Sequence, residues 1–340
     1  MSRRDTTVKW LNRLGVNNML DQYWGINRLT VLNYHRIADV NDPNFVGYAP
    51  NVSCDIDMFE RQIAWAKDDF NIISLDTLRA NVKDGAVLPE KPLLITFDDG
   101  YLDNYTAAFP VMQKYDVPAV IFLMTSRMEK THELAWWATC AEIFKRTQHT
   151  HATLPIIGER TFDTTKRKSA ISNEMIRALK FVPEAEKLSH IAMLKEQLEV
   201  NFTLDKPIFC NWEQVRELVA GNIACQPHTH THPIMTRISR QQVHHELATS
   251  KALIEEHTDQ TAYAFAYPNG TRDDFDETTM EVLRELDYEL AFTLEVGPMR
   301  ASAIPKNPLA IKRVFLSHND TFDIFRTKVM GLPAFIEWLR

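Results

Sequence analysis

The chain has 340 residues, of which 45% are hydrophobic and 24% are charged, and its formal net charge is −7. These values are those of an ordinary soluble globular protein, and the length suits one large domain or two smaller ones. Because duplex-binding proteins usually carry a basic face, the negative charge argues against a nucleic-acid partner.

Residues 1–28 are expected to form an N-terminal helical segment, with a short amphipathic helix from Val8 to Leu20. Its basic residues allow a peripheral contact with the inner membrane, although packing on its own domain is the favoured interpretation. The segment lacks the apolar run of a signal peptide, and no 18 apolar residues stand together anywhere in the sequence. We therefore expect a cytoplasmic protein with no transmembrane segment.

The four cysteines stand far apart in the sequence and form no C-x-x-C pair. This spacing predicts free buried thiols rather than a disulfide framework or a structural zinc site. Free thiols are typical of a reducing compartment, which agrees with the expected location.

Short apolar runs alternate with helical patterns in the first part of the chain. The patterns predict strands at 29–35, 91–97 and 117–124 and helices at 58–69 and 104–116. A strand, a helix and a second strand at this spacing are typical of a parallel βαβ unit.

From about residue 127 to 206 the pattern predicts a mostly helical insertion, which begins with a helix at 136–146. Alternation resumes after it, and the predicted elements are helices at 211–220, 239–258 (with Ser239 as its N-cap) and 276–287 and strands at 222–226, 261–268, 288–294 and 309–316. About seven strands with covering helices predict an α/β fold whose parallel sheet stays open or closes into a barrel. In both cases the functional residues belong at the C-terminal ends of the strands.

The first candidate site is the segment 96–101, TFDDGY, which follows directly on a predicted buried strand. Asp98 and Asp99 repel each other unless a cation or a proton takes up their charge. Adjacent carboxylates therefore favour a metal site or catalysis over a simple polar strand end. Gly100 lets the chain turn after them.

The second candidate is the segment 228–232, HTHTH, which follows another predicted strand. His228 and His232 can share one metal ion at roughly 2.0–2.1 Å, although a surface cluster is the alternative interpretation. One Asp and two His residues would form a metal site with open positions, and the second Asp would be free to act as a base. His244 and His245 lie in a helical pattern, and we expect them to face solvent.

Together these motifs resemble those of the NodB-type polysaccharide deacetylases, carbohydrate esterase family four. TFDDGY resembles the first motif of that family and HTHTH its second, H-[ST]-x-x-H. The sequence FAYPNG at Phe265–Gly270 is similar to the third motif of some bacterial branches, and YHR at Tyr34–Arg36 is similar to their opening strand. The resemblance runs from about residue 29 to 316 and is interrupted by the insertion.

The resemblance implies a distorted (β/α) barrel of seven or eight strands as a catalytic domain over 29–340. It also implies one divalent metal ion, with Zn²⁺ expected and Co²⁺ or Ni²⁺ as alternatives, bound by Asp99, His228 and His232. The implied reaction is hydrolysis of an N-acetyl group from a sugar, in which Asp98 takes a proton from the attacking water.

The chain departs from the family pattern at the residue that holds the base. An arginine often stands two residues before the proline of the third motif, and here that position is Ala266. We expect Arg313 to hold Asp98 from a neighbouring strand, with Arg36 as the alternative.

The general acid is commonly a histidine in a late L-x-H motif of the family. Leu316–His318 has this spelling, which predicts His318 as the acid and leaves His35 as the alternative.

Substrate contacts are predicted beside the first and third motifs, at Tyr101, Tyr267 and Pro268. Trp136 and Trp137 stand in the insertion, where either can stack on a sugar face or instead attach the insertion to the barrel. We take Trp137 as the substrate contact of this pair.

Two other functions stay open. Barrels of the H-x-H amidohydrolase type use two histidines with the spacing of His228 and His230 or of His230 and His232, but they usually carry the pair on the first strand. A degenerate deacetylase fold that only binds saccharide would need a broken ligand set, whereas the predicted set is intact. Because we expect a cytoplasmic protein, the favoured substrate is a nucleotide- or lipid-linked N-acetyl sugar of surface-polysaccharide synthesis.

Overall fold

The computed structural model of the protein describes residues 27–332. The helix predicted at Val8–Leu20 therefore lies outside the described residues. The chain divides into two compact units. Within the described range, the larger unit takes 27–40, Pro50–Glu129 and 209–332, and the smaller unit takes Asn41–Ala49 and Lys130–Ile208.

The described residues contain thirteen β-strands, most of them short. In chain order they are β1 (Arg28–Tyr34), β2 (Arg36–Ile37), β3 (Val52–Cys54), β4 (Asn71–Ile72), β5 (Pro92–Asp99), β6 (Ala119–Leu123), β7 (His151–Leu154), β8 (Gly158–Thr161), β9 (Ile223–Pro227), β10 (Ala264–Ala266), β11 (Leu290–Val296), β12 (Met299–Arg300) and β13 (Ile311–Phe315).

The same range contains ten α-helices. They are α1 (Ile56–Asp69), α2 (Leu75–Asp84), α3 (Phe109–Tyr115), α4 (Trp136–Arg146), α5 (Thr165–Leu179), α6 (Glu184–Gln197), α7 (Trp212–Ala220), α8 (Arg240–Thr258), α9 (Glu277–Glu285) and α10 (Phe322–Val329). Ser239 caps α8 as the sequence predicts, because its side chain accepts the Gln242 N–H.

The larger unit is a nearly closed parallel barrel of seven strands. Neighbouring strands follow the order β10–β11–β13–β1–β5–β6–β9. Each of these strands lies beside the next barrel strand along the chain, and the last one, β13, lies beside the first, β1. Each neighbouring pair on this path is parallel, whereas β12 pairs with β1 in the antiparallel sense. This architecture confirms the predicted (β/α) barrel, with seven strands.

Apolar side chains from the strands fill the barrel. One buried cluster includes Leu29, Leu94, Val120, Phe292 and Ile311, which come from five neighbouring strands. Burying a side chain of this size stabilises the fold by about 1.5–3 kcal/mol. The barrel core therefore provides a rigid support for the polar residues at the strand ends.

The barrel closes between β9 and β10 through side chains. The Gln226 side-chain oxygen accepts the N–H groups of Tyr263 and Ala264, each at 2.9 Å, and its amide nitrogen donates to the Thr261 carbonyl at 3.1 Å. Because a side chain takes up these backbone groups, β10 has only three residues, whereas the sequence pattern predicts a strand over 261–268.

The helix predicted at 104–116 is divided in the structure. A π-helical turn over Asn104–Ala108 precedes α3, and Pro110 stands in the first turn of α3, where its missing N–H costs little. The π turn presents Asn104, whose side-chain amide donates to the His35 carbonyl at 2.6 Å just after β1.

The smaller unit contains α4, α5, α6 and a hairpin of β7 and β8. The structure shows α4 at the predicted bounds, but the hairpin is absent from the sequence-based assignment. Its turn places Ile156 and Gly158 at φ values of 68° and 75°. Asn41–Ala49 also belongs to this unit, because the buried Glu142 carboxylate accepts the Gly47 N–H at 3.0 Å.

All four cysteines are buried and free, as the sequence predicts. Among the helices described here, none has the length and apolar character that a membrane crossing requires.

Candidate active site

The candidate residues converge at the C-terminal ends of the barrel strands. Asp98 and Asp99 end β5, His228 directly follows β9, and His35 directly follows β1. Arg313 reaches Asp98 from β13, although the two residues are 215 positions apart in sequence. Parallel strands present these ends on one side of a barrel, which explains why distant residues meet.

Asp99 lies in a tight turn at the end of β5. Asp99 and Gly100 both have left-handed backbone conformations, with φ values of 75° and 76°. At Gly100 a side chain is also excluded sterically, since a Cβ atom there would lie 2.7 Å from Leu123 Cδ2. The turn therefore requires glycine at position 100, directly after the strained Asp99.

Asp99, His228 and His232 form a buried group of three metal-ligating side chains. Asp99 Oδ1 lies 3.6 Å from His228 Nε2 and 3.5 Å from His232 Nε2. Ligand atoms at roughly 2.0–2.1 Å from one tetrahedral zinc ion are separated by about 3.3–3.4 Å, and the separations here exceed this spacing by only about 0.1–0.3 Å. These donor atoms therefore fit a single divalent cation.

The charge state of Asp99 supports this assignment. Among the described residues, none donates a hydrogen bond to its buried Oδ1 atom. Burial, and after it the charge of Asp98, raise the pKa of Asp99 well above its usual value, against the opposing effects of the Arg313 charge and of a Tyr101 hydrogen bond. A cation beside Oδ1 would stabilise the ionised carboxylate.

The tautomer of His228 is fixed by the neighbouring strand. Its Nδ1 lies 2.7 Å from the Ala266 carbonyl, which can only accept a hydrogen bond, so the proton is on Nδ1. The Nε2 lone pair then faces Asp99, as a metal ligand requires. Burial lowers the pKa of His228, which keeps this ring neutral.

The loop that carries both histidines is held by Glu246 of α8. This buried carboxylate accepts the N–H groups of His230 and Thr231 at 2.8 and 2.7 Å and the Thr231 hydroxyl at 2.6 Å. Thr229 and His232 have positive φ values of 67° and 66°, which are costly for side chains of this kind. Glu246 therefore offsets the strain of a loop that presents two candidate metal ligands.

Asp98 is held by three hydrogen bonds. Arg313 donates from its two terminal nitrogens to Oδ1 and Oδ2 at 2.7 and 2.8 Å, and Asn33 donates to Oδ2 at 2.8 Å. Burial alone would raise the pKa of Asp98, but nearby positive charge, mostly that of Arg313, holds it well below its usual value. Asp98 is therefore an ionised carboxylate with a fixed orientation.

Arg36, the alternative partner for Asp98, bonds elsewhere. Its Nε atom donates to Asp103 at 2.8 Å, and its guanidinium lies 5.1 Å from the centre of the Tyr101 ring. The structure thus places Arg313 rather than Arg36 on Asp98.

The two candidate acids have different neighbours. His35 Nε2 lies 3.9 Å from Asp98 Oδ2, and 12% of its side chain is exposed. The His318 ring lies instead beside the Val52 carbonyl, with Nδ1 at 3.3 Å. Burial lowers the pKa of His35 to about 4, against the opposing charge of Asp98.

The residues predicted to contact substrate are mostly buried. Tyr101 stacks on Phe209 with ring centres 4.8 Å apart. Tyr267 is fully buried, and its hydroxyl donates to the Leu309 carbonyl at 2.9 Å. Burial of Tyr267 argues against a substrate contact through its ring, because that ring has no exposed surface.

Two further predicted contacts lie elsewhere in the chain. Pro268 is buried in the turn after β10. Trp137 is buried in α4 of the smaller unit, and its substrate contact stays a prediction.

The middle histidine of HTHTH does not join the metal-ligating group. His230 Nδ1 lies 3.0 Å from the Thr125 hydroxyl, and the described metal-ligating group contains His228 and His232 instead. This placement argues against a site built on the H-x-H spacing. His244 and His245 are exposed on α8, as the sequence predicts.

Three functional contacts escaped the sequence analysis. Asn33 donates to Asp98, Glu246 holds the histidine loop, and Asn51 lies 3.5 Å from Asp99 Oδ2. Asn33 offered a signal, because a polar residue in the apolar strand LTVLNYH needs a buried partner. Glu246 offered none, because a glutamate on a helix is usually solvated.

Comparison with known proteins places this barrel in a family. Residues 85–291, more than half of the chain, match the family model described as "Polysaccharide deacetylase". The poly-β-1,6-N-acetyl-D-glucosamine N-deacetylase of Escherichia coli K12 is 22% identical over 315 residues, or 92% of this chain. This chain spans only 40% of the length of that relative.

Two solved structures share the fold. The Streptococcus pyogenes deacetylase PplD matches 89% of this chain and 99% of its own, with a TM-score of 0.58 and 18% identity. IcaB from Ammonifex degensii matches 90% of this chain and 98% of its own, with a TM-score of 0.57 and 19% identity. Together with the family model, which covers the first two motifs and most of the barrel strands, these likenesses show that the chain belongs to the polysaccharide deacetylase family.

Proposed function

We propose that this protein is a metal-dependent carbohydrate deacetylase that removes the N-acetyl group of an N-acetylhexosamine in a saccharide. The observation that supports this most directly is the division of labour between two adjacent carboxylates. Arg313 keeps Asp98 ionised and oriented, while Asp99 faces the imidazoles of His228 and His232 with an unbonded buried oxygen.

Asp99, His228 and His232 would hold the metal ion. One carboxylate oxygen and two imidazole nitrogens are a donor set that suits Zn²⁺, and Co²⁺ or Ni²⁺ are alternatives. When bound, such an ion supplies Lewis acidity that polarises the acetyl carbonyl and a water molecule.

Asp98 acts as the proton acceptor for the attacking water. Both of its oxygens already accept hydrogen bonds from Arg313, so the carboxylate cannot rotate away from the site. Asn33 fixes the same orientation from β1. A base that is positioned in this way contributes about 10²–10⁴-fold to the rate.

His35 is the better candidate for the acid that protonates the departing amine. The proton on Asp98 has to reach the leaving nitrogen, and His35 Nε2 lies 3.9 Å from Asp98 Oδ2 on the partly exposed side of the base. Because its pKa is lowered to about 4, His35 is neutral at rest and receives its proton during the reaction. We therefore propose His35 in place of His318.

The identity of the saccharide is a separate proposal. The name of the Escherichia coli relative describes action on poly-β-1,6-N-acetyl-D-glucosamine, which supports an N-acetylglucosamine polymer as the class to test first. A nucleotide- or lipid-linked sugar, with a cytoplasmic location, stays a prediction from the sequence.

The test is acetate release by the protein loaded with Zn²⁺ or Co²⁺. The substrates are β-1,6- and β-1,4-linked N-acetylglucosamine oligomers, a nucleotide-linked N-acetylglucosamine and its lipid-linked form. His228→Gln should abolish release, whereas His244→Gln, on the exposed face of α8, should retain it. Release from none of these substrates by metal-loaded wild-type protein would refute the proposed activity.

The acid assignment has its own comparison. His35→Gln should lower kcat by about 10²-fold or more, and His318→Gln should lower it far less. A larger loss of kcat in His318→Gln than in His35→Gln would identify His318 as the general acid.

A further inference from the structure

Phe315 stands out among the aromatic residues of the larger unit. Its side chain is 37% exposed. Among the described phenylalanine, tyrosine and tryptophan residues of this unit it is the most exposed, since the others are buried or partly buried. An exposed aromatic ring at the end of a barrel strand has a hydration cost that a ligand can relieve.

The strand geometry places Phe315 above the base. Side chains two residues apart share one face of a strand, so Phe315 lies on the same face as Arg313. Arg313 is fully buried and bonds Asp98, which shows that this face lines the barrel. Phe315 is one step nearer the C-terminal end, where the barrel opens to solvent.

The register with the neighbouring strand agrees with this placement. Phe315 pairs with Asn33 of β1, and paired residues of parallel strands point to the same face. Asn33 is fully buried and donates to Asp98, so it points into the barrel. Two strands thus independently direct Phe315 towards the opening above the carboxylate.

Phe315 also touches the candidate acid. Its ring centre lies 5.8 Å from that of His35, and the two ring planes meet at 76°. His35 in turn lies 3.9 Å from Asp98. Phe315, His35 and Asp98 therefore form a continuous chain of contacts within the larger unit.

We propose that Phe315 is the platform on which the N-acetylhexosamine ring stacks, with its acetamido group directed down to Asp98. This inference rests on the proposed deacetylase function and deepens it. Sugar rings present a C–H face, and ligand sites combine such apolar contacts with a few convergent polar groups. The rings of Tyr101 and Tyr267 are buried and offer no such surface.

A kinetic comparison tests the platform. With a β-1,6-linked N-acetylglucosamine tetramer, Phe315→Ala should raise KM about ten-fold, with a much smaller change in kcat. Phe315→Trp should restore KM towards the wild-type value, because tryptophan offers a larger stacking face. Val87→Ala is the control, since Val87 is 94% exposed and precedes β5 at the opposite end of the barrel.

A binding measurement makes the result independent of turnover. The metal-loaded protein is titrated with the deacetylated glucosamine tetramer, and Phe315→Ala should weaken binding about ten-fold. An unchanged KM in Phe315→Ala, or a kcat that falls as much as KM rises, would refute the stacking role of Phe315. So would unchanged binding of the tetramer.

Failure of the proposed function gives a different pattern. If wild-type protein releases no acetate, the N-acetylated tetramer itself serves as the titrant. Binding that Phe315→Ala weakens then preserves the platform while the deacetylase proposal fails. If wild type and Phe315→Ala bind the tetramer equally, or if wild type does not bind it, the stacking role of Phe315 is refuted as well.

Discussion

The ion pair between Asp98 and Arg313 is buried, with side-chain exposures of 2% and 0%. Asp98→Asn removes the proposed base and also leaves the guanidinium charge without its counterion. Loss of one partner of a buried ion pair costs about 3–5 kcal/mol. We therefore predict that Asp98→Asn loses activity and also loses stability of this order, as measured by acetate release and by urea unfolding.

The double variant with Asp98→Asn and Arg313→Gln separates the two effects. It contains no unpaired charge, so it should regain much of the lost stability while its activity stays absent. An Asp98→Asn protein that unfolds at the same urea concentration as wild type would contradict the pairing.

The pKa of His35 gives the folded protein a defined acid sensitivity. Its folded pKa of about 4 lies below the usual value of 6.5, because burial disfavours the charged ring. Between these pH values the unfolded chain binds a proton that the folded protein does not. Stability therefore rises with pH across this window and is lost as the pH falls from 6.5 towards 4.

Chelator-treated protein is suited to this measurement, because no metal then competes with protons. The free energy of unfolding should fall with decreasing pH in the window, and His35→Gln should flatten the slope by up to about 1.4 kcal/mol per pH unit. His244→Gln is the matched control on the exposed face of α8. Equal slopes for wild type and His35→Gln would show that His35 does not resist protonation.

At the level of elements, the Glu246 carboxylate links the histidine loop to helix α8. Glu246 accepts three hydrogen bonds from the loop that presents His228 and His232. Glu246→Ala frees these donors and lets the strained residues relax. Because loss of a residue that orients metal ligands typically costs 10–100-fold in affinity, we predict that Zn²⁺ binding weakens by about this factor.

Glu256→Ala is the control for this prediction, since Glu256 is exposed on the same helix. Zinc affinity is measured by competition with a chromogenic chelator, which does not depend on substrate turnover. Equal zinc affinity in the Glu246→Ala and Glu256→Ala proteins would mean that the loop holds its shape without α8.

Elements with a clear local signal are the ones that the sequence predicts well. The apolar run before Asp98 predicts β5, and the helical pattern at 136–146 predicts α4 at its observed bounds. The strand predicted at 261–268 is the counterexample, because the Gln226 side chain takes the N–H groups that a strand neighbour would otherwise bond. A partner 37 positions away leaves no trace in a local pattern.

In the site, too, residues within motifs can be predicted from the sequence, whereas contacts between distant strands cannot. Motif spacing indicates Asp99, His228 and His232, and the structure brings them together. The choice of Arg313 over Arg36 depends on the register of β13, which only the closed barrel fixes. Tyr267 lies within a motif but packs against Phe275, with ring centres 4.1 Å apart, so sequence proximity to the site misleads there.

For the whole molecule, closure of the barrel at the seam between β9 and β10 is the structural condition for the site. Gln226 lies in β9 and His228 directly follows this strand, and both side chains bond backbone groups across the seam. The residue that closes the barrel thus stands two positions before a candidate metal ligand. Stability of the seam and placement of His228 should therefore change together.

Gln226→Leu tests this coupling. Leucine fills the space but leaves the buried N–H groups of Tyr263 and Ala264 without their acceptor, at about 1–3 kcal/mol for each unsatisfied group. We predict a loss of this order in urea unfolding, faster hydrogen exchange at those two amides, and weaker zinc binding. Gln241→Leu, on the exposed face of α8, should change none of these. Normal zinc binding in a destabilised Gln226→Leu protein would show that the His228 position is fixed by β9 alone, independently of closure.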